Sequence, residues 1–104
     1  MDTSETRKTR QLVTIVTEAL IEHAIIEDLE RLGVGGYTIT EARGKGHRGV
    51  READWMASGN IRIEIVCNQE LANTVVDHLS EHYYRDYAMI MYLSQVAVLR
   101  PEKF

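Results

Sequence analysis

Cys67 has no second thiol in the chain to pair with, so an internal disulfide, a paired-cysteine metal carrier and a Cys-x-x-Cys redox centre are all excluded. It ends an alternating apolar stretch, where the expected role of a lone cysteine is that of a small buried hydrophobe. No apolar run reaches the ~18 residues that a membrane-spanning helix needs. The polar opening residues 1–10 do not resemble a secretory leader either, and the expected location is cytoplasmic. Positive charge is outweighed: 12 Lys and Arg against 16 Asp and Glu leave a net charge of −4. The chain as a whole therefore has no general attraction for nucleic acid, and none is expected as a partner. No aromatic residue lies in the stretch 61–67, which counts against a module that stacks RNA bases on a central strand. A P-loop is missing, because no Gly-Lys-Ser/Thr opens a helix. No Ser/His/Asp or Cys/His spacing suggests a nucleophile, and Glu52 and Asp54 have no partner that would mark a catalytic pair. Catalytic residues and metal ligands are therefore not assigned, and an enzyme is the weaker class.

What the sequence does contain is a basic, glycine-rich stretch at 43–51. It carries Arg43, Lys45, Arg48 and Arg51 with His47, spaced by Gly44, Gly46 and Gly49. Glycine leaves backbone N–H groups unshielded, and runs of such groups form concavities for anions. Arg and Lys add charge-assisted hydrogen bonds to phosphate or carboxylate. One reading is an anion-binding loop, most naturally for a nucleotide; the other is a solvated loop whose charges confer solubility. The loop runs on through Glu52, Asp54, Trp55 and Ser58 to Gly59, a length unusual in a compact domain unless it serves function or is disordered. Trp55 and Met56 either pack back on the body or dock on another protein.

Around this loop the periodicities alternate. Residues 1–9 read as a flexible tail and 10–104 as one domain. Residues 12–17 are β-branched and predict a strand. Residues 18–32 switch to helical spacing, with Ile21, Ala24, Ile25, Leu29 and Leu32 on one face and Gly33 as the stop. A second strand is predicted over 37–42. A third follows over 61–67, with Ile61, Ile63, Ile65 and Cys67 facing a core and Arg62 and Glu64 facing away. Asn68 is a good N-cap for a second helix, on which His78 reads as a hydrogen-bonded boundary histidine. Residues 83–87 form a short connection. The last strand runs from 88, is interrupted at Ser94 and Gln95, resumes at 96 and stops at Pro101. The order β-α-β-β-α-β with right-handed crossovers predicts an α+β, ferredoxin-like fold. Both helices then cover one sheet face, and the bare face, with Arg62, Glu64 and Val66, invites another subunit.

The stretch 36–46, from Gly36 and Tyr37 through Thr38 to Gly44, Lys45 and Gly46, resembles the second strand and T-loop entry of the PII and PII-like signalling proteins. Residues 61–66 resemble the strand that leaves that loop, and the element order is similar from 10 to 100. The resemblance implies a homotrimer with adenine nucleotides in the clefts between subunits. Each cleft is implied to lie between the T-loop base of one subunit, the loop spanning about 44–59, and the connection after the second helix of its neighbour. It further implies that Thr38 approaches the adenine or ribose and that Val66 flanks the base. Gly44, Lys45, Gly46, Arg48, Arg51 and Arg100 are implied to face the phosphates. Three departures matter. The loop lacks the tyrosine that nitrogen-signalling members carry there, Arg48 stands where they have glutamine, and residues 83–87 replace their glycine- and lysine-containing connection. These count against uridylylation and 2-oxoglutarate sensing. The Gly-Lys-Gly-x-Arg-Gly-Val-Arg pattern is similar instead to PII-like proteins of inorganic-carbon metabolism, associated with carboxysomes or bicarbonate transporters. ADP or AMP is then the favoured ligand, with ATP and cyclic AMP as further candidates. Bicarbonate is expected among Lys45, Arg48 and Arg51, and the partner is a transporter or carboxysome component reached through the T-loop. The alternative is a scaffolding trimer whose basic loop binds an acidic protein surface or RNA.

Overall fold

Strand β1 (Lys8–Glu18) is the central organiser, flanked by a strand on each side. A computed structural model describes residues 8–44 and 59–104 of the chain. On β1, Val13, Ile15 and Thr17 point to one side and are buried, as the two-residue period of a strand requires. Strand β3 (Asn60–Cys67) lies antiparallel to it, Ile15 opposite Ile63 and Val13 opposite Ile65. Strand β4 (Met89–Val98) pairs along the other edge of β1, and β2 (Thr38–Ala42) pairs with β3. The four-stranded sheet has the order β2-β3-β1-β4.

Helix α1 (Glu22–Leu32) and helix α2 (Gln69–Tyr83) cover one face. Ile25 and Leu29 of α1 and Val75 and Leu79 of α2 join Val13, Ile15, Ile61, Ile63 and Ile65 in one core. Each such side chain, fully buried, contributes about 1.5–3 kcal/mol. Cys67 belongs to that core at 4% exposure, as the sequence leads one to expect, and burial raises its thiol pKa. Asn68 caps α2, its side-chain oxygen accepting from Leu71 N–H at 2.8 Å. Gly33 ends α1 at φ 95°, the left-handed conformation that glycine tolerates best.

The predicted α+β plan is the one observed, with four differences of detail. Lys8 and Thr9 belong to β1, opposite Val98 and Ala97, inside the stretch expected to be a tail. Glu18 ends β1 and a 3-10 turn (Ala19–Ile21) precedes α1, so the helix starts four residues later than the spacing predicts. Ala24 is exposed rather than on the buried line, which runs Ile21, Ile25, Leu29. β4 runs unbroken through Ser94 and Gln95, which pair with Leu12 and Gln11.

Among the described residues no element covers the sheet face away from the helices, although Thr14 at its centre is buried. Across it run two rows: Tyr92, Thr14, Glu64 and Thr38, then Ile90, Val16, Arg62 and Thr40. Ile90 and Tyr92 are 59% and 52% exposed, and Leu12, Val16 and Val66 are half-buried beside them.

Candidate functional site

The two ends of this sheet carry different chemistry. At one end β1 and β2 finish while β3 and β4 begin, and the chain leaves β2 through Arg43 and Gly44. Gly59 brings it back at φ 77°, its carbonyl accepting from Ala19 N–H at 3.1 Å. That bond ties the return of the loop to the turn after β1. Beside it opens a cleft of about 840 Å³, lined by Glu22, Glu41, Arg43, Gly44 and Asn60 over Ile39 and Ile61. A volume of this order suits a small-molecule ligand. Its apolar floor can take a ring, its two carboxylates can accept from hydroxyl groups, and Arg43 is the group that can meet an anion.

At the same end, on the β4 side, lies the connection 84–88. Ala88 N–H donates to Glu18 Oε2 at 2.6 Å, and Thr17 Oγ1 donates to Ala88 O at 2.7 Å. Where α2 runs into the connection, Tyr83 Oη donates to Asp28 Oδ2 at 2.6 Å. Asp28 also faces His78 Nε2 at 3.4 Å and Arg31 at 3.3 Å, with its side chain only 13% exposed. His78 is thus the partnered boundary histidine that its position suggests, and His82 stacks on it at 4.1 Å. Burial and the hydrogen bond to Asp28 push the Tyr83 phenol up to about 12.

The other candidate residues lie farther along the sheet, each at a different level. Thr38 opens β2, exposed and opposite Glu64. Val66 lies on the same open face, half-buried and opposite Leu12. Arg100, exposed just beyond β4, has Nε 3.8 Å from Glu102 Oε1. Next to it Arg10 reaches the Pro101 carbonyl at 3.4 Å. Thr38 lies level with Thr14 and Tyr92, near the middle of the sheet, whereas Arg100 lies beyond Val98 on the opposite edge. The six residues from Tyr92 to Val98 alone separate them by roughly 20 Å along the strands, besides three strand spacings across. Gly44 is six residues along from Thr38, roughly 20 Å at the rise of a strand. One chain therefore does not bring Thr38, Val66, Arg100 and Gly44 into a single site. Lys45, Gly46, Arg48 and Arg51, and with them the arginines expected to hold bicarbonate, lie outside the described residues.

Sequence reasoning missed Glu18, Glu22, Glu41, Thr17 and Asp28. No local pattern in the sequence marks any of them, and only the cleft and the connection give them their setting. Among the described residues no three His, Cys, Asp or Glu side chains converge to hold a metal, and no helix is long and apolar enough to cross a membrane.

Comparison with known proteins agrees on the fold and on the family. A solved structure described as a PII-like signalling protein of Thermus thermophilus is 45% identical, covers 94% of this chain and 97% of its own, and superposes with a TM-score of 0.80. CPII of Thiomonas intermedia, solved bound to ADP and bicarbonate, is 25% identical over 94% of this chain and 96% of its own, with a TM-score of 0.81. A second CPII structure, with ADP, AMP and acetate, is 23% identical with the same TM-score of 0.81, over 94% of this chain and 96% of its own, and speaks to the fold. The family model described as nitrogen regulatory protein P-II matches residues 10–103, nearly the whole chain, and the protein belongs to that family.

Proposed function

We propose that this protein is a PII-like signalling subunit that binds ADP or AMP, together with bicarbonate, in clefts between the subunits of a homotrimer. The bound ligand sets the conformation of the loop 44–59, which regulates a partner in inorganic-carbon metabolism. The role is regulatory rather than catalytic. The observation that carries this reading is the spread of the candidate ligand residues along one sheet, Gly44 past one end, Thr38 and Val66 in its middle and Arg100 past the other end. Thr38 and Val66 can join Gly44 around a single ligand only if two copies of the chain contribute. The open face, with Ile90 and Tyr92 exposed, supplies a surface on which copies can meet. The ADP and bicarbonate of the CPII structure supply the ligand chemistry. Glycine backbone and the guanidinium groups of Arg48, Arg51 and Arg100 suit phosphate oxygens, and a bicarbonate anion fits the same donors.

Calorimetric titration with AMP, ADP, ATP and cyclic AMP, each with and without bicarbonate, tests the proposal. Saturable binding of ADP or AMP at one site per subunit, tightened by bicarbonate, is the expected result. An Arg48→Ala variant is expected to lose about tenfold in ADP affinity while keeping the oligomer, the effect of one lost charge-assisted contact. Binding indifferent to bicarbonate removes the carbon assignment. Failure of all four nucleotides to bind removes the sensor reading and leaves the basic loop for an acidic protein surface or RNA.

A further inference from the structure

In the middle of the uncovered sheet face, β3 sets two opposite charges side by side. Arg62 and Glu64 project from that face, while Ile61, Ile63 and Ile65 of the same strand are buried in the core. The two lie two residues apart on one strand, roughly 7 Å between their Cα atoms. Register gives neither a charged neighbour: Arg62 stands opposite Val16 and Thr40, and Glu64 opposite Thr14 and Thr38. Among the described residues no hydrogen bond or ion pair engages either side chain. Glu18 and Arg10, toward the two ends of the same face, are by contrast held by backbone groups of Ala88 and Pro101. Beside Arg62 and Glu64 the face is apolar, with Ile90 and Tyr92 exposed and Leu12, Val16 and Val66 half-buried. The apolar part favours leaving water, but the two charges follow at low cost only when each meets its opposite. A different partner would need a matching pair of its own at that spacing. A second copy of this chain carries one already.

We propose that Arg62 and Glu64 form reciprocal ion pairs between neighbouring copies of the chain, and that these pairs set the register in which the uncovered faces meet. This rests on the homotrimer proposed above. In a ring closed head to tail, each copy offers one surface to the copy before it and another to the copy after it. One Arg62 and one Glu64 per copy then make one pair at every junction, and no charge is left over. A guanidinium meets a carboxylate through two parallel hydrogen bonds, which fix orientation as well as closeness. A register that parts them buries both charges unpaired, which is the costly arrangement.

The test is solution mass by sedimentation over a dilution series, for the wild-type protein, Arg62→Glu, Glu64→Arg and the exchanged variant Arg62→Glu/Glu64→Arg. Each single variant sets like charges against each other at every junction and is expected to weaken assembly about a hundredfold. The exchanged variant restores opposite charges in reversed order and is expected to regain most of that loss. Full assembly in either single variant overturns the proposal, and so does an exchanged variant as weak as the single ones. Circular dichroism checks that each variant folds. Should a reversed charge prevent folding, neutral variants decide instead. Arg62→Gln and Glu64→Gln each leave one charge unpaired, so the double variant Arg62→Gln/Glu64→Gln is expected to assemble better than the sum of the two losses allows. Losses that add overturn the proposal. A wild-type protein that stays monomeric would sink the trimer reading itself, whereas a wild-type trimer with indifferent variants removes only the ion pairs.

Discussion

Asp28 is where the two helices meet in polar terms. One carboxylate serves Tyr83, His78 and Arg31, and the bond from Tyr83 requires the phenol to keep its proton. The phenol pKa is raised from the ordinary 10 to about 12. A raised acid favours the folded state with its proton on, so this stabilisation is complete below pH 10 and is lost as pH rises through 12. Tyr83→Phe is therefore expected to cost about 1–2 kcal/mol near neutral pH, the low end for a bond to a charged group because the pair is part-exposed. At about pH 11 and above the wild-type advantage should shrink. Denaturant titrations of both proteins at the two pH values measure this, and parallel losses of stability would show that the bond does not couple to titration. Little of this could be read from sequence. Asp28 and Tyr83 are 55 positions apart, and Glu18 and Ala88 are 70 apart; no local pattern links such pairs. Cys67 and His78 were legible because a strand period and a helix face decide their surroundings.

Among the elements, α2 offers the most direct measurement. Asn68 satisfies one of the N–H groups that a helix leaves unpaired at its start. Asn68→Ala is expected to lower stability by about 1 kcal/mol, and Asn68→Asp to retain most of it. Equal stability of the alanine variant in chemical denaturation would mean that the cap bond is not formed in solution. Element order and the buried face of β3 were readable because Ile61, Ile63, Ile65 and Cys67 alternate without exception. The start of α1 was not. Residues 18–21 fit a helical period, yet the backbone of Glu18 pairs with Asn60 in the sheet and its carboxylate with Ala88. Ser94 and Gln95 looked like a break because they are polar, but they are exposed, and a strand tolerates polar side chains there as long as the backbone pairing with β1 continues. The candidate site was legible only as a basic glycine stretch. Its spread along the sheet depends on strand register, which sequence does not display.

At the scale of the molecule the open sheet face sets the behaviour. Under the proposed assembly, Ile90 and Tyr92 lie in the contact between copies. Ile90→Asp is then expected to shift the solution mass by sedimentation from trimer to monomer, because burying an unpaired carboxylate among apolar groups is strongly unfavourable. It is also expected to abolish nucleotide binding, since the ligand residues then never converge. A monomeric variant that binds ADP with full affinity would place the whole ligand site within one chain. The sheet has a further consequence through β2, a strand of five residues with Thr38 at its head and Gly44 just past its tail. Under the proposed reading those two ends belong to different clefts, so one stiff rod borders two ligands. In a closed ring every occupied cleft is then mechanically tied to the next. Successive ligands meet subunits already strained or settled by the first, and the ring fills in unequal steps: a graded counter of nucleotide supply rather than a set of independent switches.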